Sequence, residues 1–197
     1  MPGAAPVTGL LLAAGAGSRM GLPKALITTP GGRPWLDVAV RALLGCTDEV
    51  VVVLGCRADA AAALLPQDAR IRPVVAPDWE LGMGASLRTG LATLLEGGGH
   101  QAALVHLVDL PDVPAAVAAR VLEAAGGDLF DGLARATYDG RPGHPVLLGR
   151  RHWAPLAASA SGDRGARDYL AARAVALVEC GDLATGRDRD TSTDLPG

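Results

Sequence analysis

The chain has 197 residues, a formal net charge of −3, 49% hydrophobic and only 3% aromatic residues, and three cysteines. Its length allows one domain, residues 1–197, with a substantial aliphatic core. The lack of an apolar run of roughly 18 residues argues against a spanning helix, and the lack of clustered Lys/Arg and stacking aromatics argues against nucleic acid. Cys46, Cys56 and Cys180 are scattered and odd in number, as expected of reduced, buried thiols. No basic stretch precedes the first apolar run, so a cytoplasmic protein is expected.

The first predicted strand covers Thr8 to Ala14 and runs into a glycine-rich loop, Gly15-Ala16-Gly17-Ser18-Arg19-Met20-Gly21-Leu22-Pro23-Lys24. Glycines let the backbone turn tightly and bring N–H groups against an anion. Arg19 and Lys24 add positive charge to the same loop. The spacing is neither the dinucleotide pattern G-x-G-x-x-G nor the P-loop G-x-x-x-x-G-K-[ST], because Pro23 precedes Lys24 and Ala25 follows it. On the glycines alone, a plain strand-to-helix turn explains the loop equally well.

Ala25 to Thr28 reads as a short extended piece. A helix starts at Pro34 and stops at Gly45, Val50 to Leu54 is a buried strand, Arg57 to Leu65 a helix, and Ile71 to Ala76 a third strand. Gly82 and Gly84 then form a close-approach turn before a helix that reaches Gly97, with Ser86 near its start as a candidate cap. Ala102 to Val108 is the fourth strand, and Asp109 stands at its carboxyl end, where open α/β sheets bind ligands. His106 reads as a satisfied core histidine and Asp112 as a cap for a helix over Val113 to Ala125. Gly132 to Tyr138 and Pro145 to Leu148 are strands joined by a turn over residues 139–143. A helix over Arg150 to Ala158, a charged loop over residues 161–167, a helix burying Leu170 and a strand over Ala174 to Val178 complete the pattern. Alternating strands and helices predict an α/β fold with a mostly parallel sheet.

Several stretches, taken together, say more. Leu12 to Leu26, the segment Pro77-Asp78-Trp79-Glu80-Leu81-Gly82-Met83-Gly84-Ala85-Ser86-Leu87, Asp109-Leu110-Pro111, Gly143-His144-Pro145-Val146, Gly162 to Arg167 and the tail Asp188 to Leu195 resemble, in order, the motifs of the MobA-like NTP transferases. The resemblance is closest to the molybdenum cofactor cytidylyltransferase branch. It departs at Ala76, Arg189 and Ser192. It implies a Rossmann-like three-layer α/β/α fold of the nucleotide-diphospho-sugar transferase type. It also implies transfer of a nucleotidyl group, CMP favoured, from a nucleoside triphosphate to a phosphorylated small-molecule acceptor such as molybdopterin.

By that resemblance Leu12, Ala13, Ala14, Gly15, Gly17 and Ser18 wrap the triphosphate, Arg19 and Lys24 hold its phosphates, and Gly82, Gly84 and Ser86 lie beside the base. Asp109 and Asp190 are the expected magnesium ligands, with Asp188 a weaker second candidate. His144 and Arg167 fall on the acceptor side; His144 suits either acceptor binding or pinning its loop, and Asp163 leans structural. Within the same chemistry GTP remains open as donor. In a different class stands an NAD(P)H-dependent oxidoreductase, because some relatives carry a nicotine blue reductase label; the missing G-x-G-x-x-G weighs against it. A regulatory module that has lost catalysis is a third reading, opposed by the intact Lys24, Asp109 and Asp190.

Overall fold

In the computed structural model, residues 6–18 and 20–189 are described. They build one seven-stranded sheet from β1 (Val7–Ala13), β2 (Glu49–Leu54), β3 (Ile71–Val75), β4 (Ala102–Leu107), β5 (Leu133–Tyr138), β6 (Arg141–Gly149) and β7 (Ala176–Glu179). The spatial order is β3-β2-β1-β4-β6-β5-β7. Only β6 runs against the others, pairing antiparallel with β4 and β5, so the sheet is mostly parallel.

The sequence of β1 and β2 explains their central place. Both are continuous apolar runs, which suits strands covered on two faces. Leu11, Val50, Val52 and Leu104 face one core, joined by α1 (Trp35–Leu44), α2 (Ala58–Ala62) and α4 (Ala115–Ala124). Leu10, Val51, Val53 and Val105 face the other, joined by α3 (Met83–Gly97), α5 (Trp153–Ser159) and α6 (Arg167–Ala171). Three layers result, α/β/α. Trp153 is wholly buried, and its indole N–H donates to the Leu148 carbonyl at 2.9 Å, so the ring carries no unsatisfied donor.

Four local expectations are corrected. Residues 24–26 form a 3-10 turn rather than a strand, because the Pro23 and Lys24 carbonyls take the N–H groups of Leu26 and Ile27; only Thr28 bridges, to Pro34. The helix expected over 57–65 is α2 alone, since Arg57 sits in the left-handed region at φ 54°. The 150–158 helix splits into a 3-10 turn, Arg150–His152, and α5. The β5–β6 turn is two residues, Asp139 and Gly140, both at positive φ (51° and 74°), not five; this is the mirror-image turn that matches hairpin twist. The Glu179 carboxylate holds that turn by accepting the N–H groups of Asp139 and Gly140 and the Thr137 hydroxyl.

Chain order also places the site. β2 and β3 lie to one side of β1, and β4 to the other. The order therefore reverses between β1 and β4, and the crevice beyond their carboxyl ends is where such sheets take ligands.

Candidate active site

A cavity of about 420 Å³ opens at that reversal point. Its floor is the loop after β1, with Leu12, Ala13, Ala14, Gly15, Gly17 and Ser18 all lining it. Gly17 sits at φ +61°, and a side-chain carbon there would run into the Leu22 carbonyl, so this turn needs glycine. The N–H groups of Gly15, Ala16 and Gly17 donate to no acceptor among the described residues. Successive amide donors left without acceptors in a glycine turn suit an anion.

Lys24 and Asp109 line the cavity together although they are 85 positions apart in the sequence. Lys24 Nζ lies 2.7 Å from Asp109 Oδ2, and each side chain is less than a fifth exposed (17% and 18%). The second carboxylate oxygen, Asp109 Oδ1, is buried and accepts no hydrogen bond among the described residues. Burial pushes the Asp109 carboxyl above the usual carboxylate range; the Lys24 hydrogen bond pulls it down, and the nearby Asp188 charge pushes it up again. An unpartnered buried carboxylate oxygen beside a second carboxylate suits a hard divalent cation. Arg19 and Asp190, both expected here, lie outside the described residues.

The third wall is the start of α3. Gly82 and Ser86 line the cavity with Trp79 and Met83. Ser86 does not cap the helix as expected: the cap position is Gly82, no side chain bonds there, and the buried Ser86 lies inside the first turn with its hydroxyl free of partners among the described residues. Gly84 faces away from the cavity and is pressed against the Ser161 backbone, where an added carbon would come within 2.7 Å. Trp79 is a wall residue that its sequence context alone did not single out.

A second cavity, about 300 Å³, continues from the first and shares Leu12, Met83, Leu107 and Asp163 with it. His144 and Arg167 line it, and so do Asp188, Arg164 and Arg135. The His144 loop is pinned through its backbone: Arg135 Nε donates to the Gly143 carbonyl (2.9 Å) and the Tyr138 hydroxyl to the His144 carbonyl (2.7 Å). Burial first, then the neighbouring His106 and Arg135, drives the His144 imidazole down to about 3, so it is neutral near pH 7. Asp163 faces Gly82 across the partition between the cavities, while the loop's ion pair joins Arg164 to Asp168 at 2.6 Å.

Two further expectations change. His106 is buried but unsatisfied, since neither ring nitrogen has a partner among the described residues; burial lowers it to about 4. Asp112 does not cap α4, whose cap is Pro114. Its Oδ2 instead accepts the Thr185 N–H (2.9 Å) and hydroxyl (2.5 Å), tying down the segment that carries Asp188. That segment then passes the site, with the Arg189 N–H donating to the Asp109 carbonyl. An arginine missed by sequence reading, Arg135, completes the set.

Residues 9–177 match the MobA-like NTP transferase domain. The chain belongs to this nucleotidyltransferase family. Nicotine blue oxidoreductase of Paenarthrobacter nicotinovorans is 38% identical over 192 residues, covering 94% of this chain and 92% of the relative. A probable molybdenum cofactor guanylyltransferase of Rhodopirellula baltica is 37% identical over 120 residues, 57% of this chain and 54% of the relative. The crystal structure of Rv0371c from Mycobacterium tuberculosis H37Rv superposes with a TM-score of 0.77 at 30% identity over 97% of this chain and 95% of that one; the same protein has also been solved in complex with manganese. The fold thus matches the nucleotide-diphospho-sugar transferase type. No helix among the described residues is long and apolar enough to cross a membrane.

Proposed function

We propose that this member of the family moves a nucleotidyl group, CMP favoured over GMP, from a nucleoside triphosphate to a phosphorylated acceptor of the molybdopterin kind. The observation that carries the reading is the Lys24–Asp109 pair lining one cavity with the Gly15–Gly17 loop, whose amides have no acceptor among the described residues. Asp109 and a tail carboxylate, Asp188 or Asp190, would hold magnesium, which supplies charge neutralisation at the α-phosphate when bound.

The acceptor phosphate oxygen forms a bond to the α-phosphorus, and the bond from that phosphorus to the bridging oxygen of pyrophosphate breaks. A phosphate is already an anion, so the site needs no general base, and His144, pushed down to about 3, is too weakly basic to serve as one. The barrier lies in bringing two anions together while charge grows on the leaving group. Positioning and fixed positive charge lower such barriers. In this chain the loop amides and Lys24 bind and orient the triphosphate. Gly82, Ser86 and Trp79 bound the base end, and the second cavity positions the acceptor.

A second reading is favoured by the 38% identity to nicotine blue oxidoreductase: a reductase binding NAD(P)H through the same amides. A thermal-shift panel of CTP, GTP, ATP, UTP, NADH and NADPH, with and without magnesium, separates the two. A ligand that binds only the native state raises the melting temperature by mass action. The proposal expects CTP to stand out, and only with magnesium; a shift by NAD(P)H alone, indifferent to magnesium, would decide for the reductase.

A further inference from the structure

Leu12, Met83, Leu107 and Asp163 line both cavities and mark the passage from one to the other. Asp163 alone among them is polar. It stands in the 3-10 turn Gly162–Arg164, between two glycines at positive φ, 49° and 52°. Its Oδ1 lies over Gly82, so that a carbon added at Gly82 would come within 2.5 Å of it. The carboxylate makes no hydrogen bond or ion pair among the described residues, whereas its neighbour Arg164 is paired with Asp168.

The front loop and Lys24 suit the first cavity to a polyphosphate, and a carboxylate beside such an anion is repelled by it. Asp163, when ionised, can only accept hydrogen bonds. Its place therefore calls for a part of the ligand that donates them and carries no negative charge. Under the nucleotidyltransfer reading, on which this inference rests, the base lies at Gly82 and Ser86 and the phosphates at Lys24 and Asp109. The ribose joins the two. It offers neighbouring hydroxyls, and the two oxygens of a carboxylate can accept from both, as an acidic residue accepts from the ribose in dinucleotide sites.

We infer that Asp163 is a specificity-determining residue for the donor: its carboxylate accepts from the ribose hydroxyls and selects ribonucleotides over deoxyribonucleotides. A purely structural role is the alternative, because a negative charge beside Gly82 also suits the amino-terminal end of α3, a helix of 15 residues. Glu80, next to Trp79 in the chain, also lines the first cavity and serves as the control.

The test is calorimetric titration of CTP, 2′-deoxy-CTP and 3′-deoxy-CTP, each with magnesium, into wild type, Asp163→Ala, Asp163→Asn and Glu80→Gln. The wild type is expected to bind CTP at least about fivefold more tightly than either deoxy analogue, the value of one hydrogen bond to a partly solvated charge. In Asp163→Ala the three nucleotides are expected to bind within about twofold of one another, because hydroxyl and carboxylate are coupled. Asp163→Asn keeps one accepting oxygen and should narrow the preference, and Glu80→Gln should keep it whole. Melting temperatures report any structural role separately.

A wild type that binds CTP and both deoxy analogues equally overturns the inference. So does a full preference that survives in folded Asp163→Ala, whether or not its melting temperature falls, and so does a preference lost in Glu80→Gln alone. If Asp163→Ala does not fold, an unchanged preference in Asp163→Asn overturns it. In each of these outcomes CTP still binds, so the donor reading stands; a wild type that binds no nucleotide removes that reading and this inference with it.

Discussion

Lys24 Nζ and Asp109 Oδ2 lie 2.7 Å apart although 85 residues separate them. The sheet order makes this contact: β1 and β4 are neighbours, so the loops that leave their carboxyl ends must meet. One carboxylate oxygen is used on lysine, and the other accepts no hydrogen bond among the described residues.

Removing the ammonium therefore strands a buried carboxylate. Lys24→Met is expected to lower stability by about 1–3 kcal/mol and to abolish most turnover. Asp109→Asn keeps the shape and is expected to lose turnover with a smaller change in melting temperature. Denaturant melts and initial rates on both variants check this; wild-type rates in either would remove the pair from the mechanism.

Gly17→Ala should be far more damaging than Gly21→Ala. Both positions have positive φ, 61° and 71°, so both substitutions carry a strain of about 1 kcal/mol. Only at Gly17 does the new carbon also meet the Leu22 carbonyl, whereas Gly21 faces open space. The expected readout is loss of nucleotide binding in Gly17→Ala and near-normal binding in Gly21→Ala, measured by titration.

Acid should destabilise the protein in a defined window. His106 and His144 titrate near 4 and 3 when folded, against about 6.5 in an unfolded chain. Between those values the unfolded state binds more protons, so stability falls as pH drops through the range. For His106 alone the loss is about 3 kcal/mol by pH 4. His106→Leu is expected to flatten the dependence of melting temperature on pH between 6.5 and 4; an unaltered slope would show that His106 is not its source.

The Asp112 carboxylate ties down the segment at Thr185. Asp112→Ala frees Thr185, and with it the approach of Asp188 toward Asp109. The expected result is a several-fold rise in the magnesium concentration needed for half-maximal rate, with a smaller change in the nucleotide KM. Thr185→Val, which loses the hydroxyl but keeps the N–H bond, should fall between wild type and Asp112→Ala.

Much of this site was legible in the residues. The run Leu10–Ala14 followed by glycines reads as a buried strand and a tight loop, because a short apolar run bounded by glycines suits a covered strand, and β1 and the loop after it line the first cavity. Asp109 was visible as an acid at a strand end. Other features depend on contacts that a linear pattern does not carry. Gly84 reads as a turn glycine, but the loop at Ser161 presses on it from 77 positions away. Asp112 looks like a cap because it precedes a helix, yet its partner is Thr185, 73 positions later. Arg135 did carry a signal: in Leu133-Ala134-Arg135-Ala136 it interrupts a strand buried on both faces, where a solvated arginine has nowhere to go.

The account's central claim is that the front loop, Lys24 and Asp109 bind one polyphosphate with a divalent cation. Calorimetric titration of CTP with magnesium into wild type, Lys24→Met and Asp109→Asn tests it most directly. The account predicts binding by the wild type that disappears on removing magnesium and weakens at least about tenfold in each folded variant. Equal affinity in all three proteins, with or without magnesium, would contradict it.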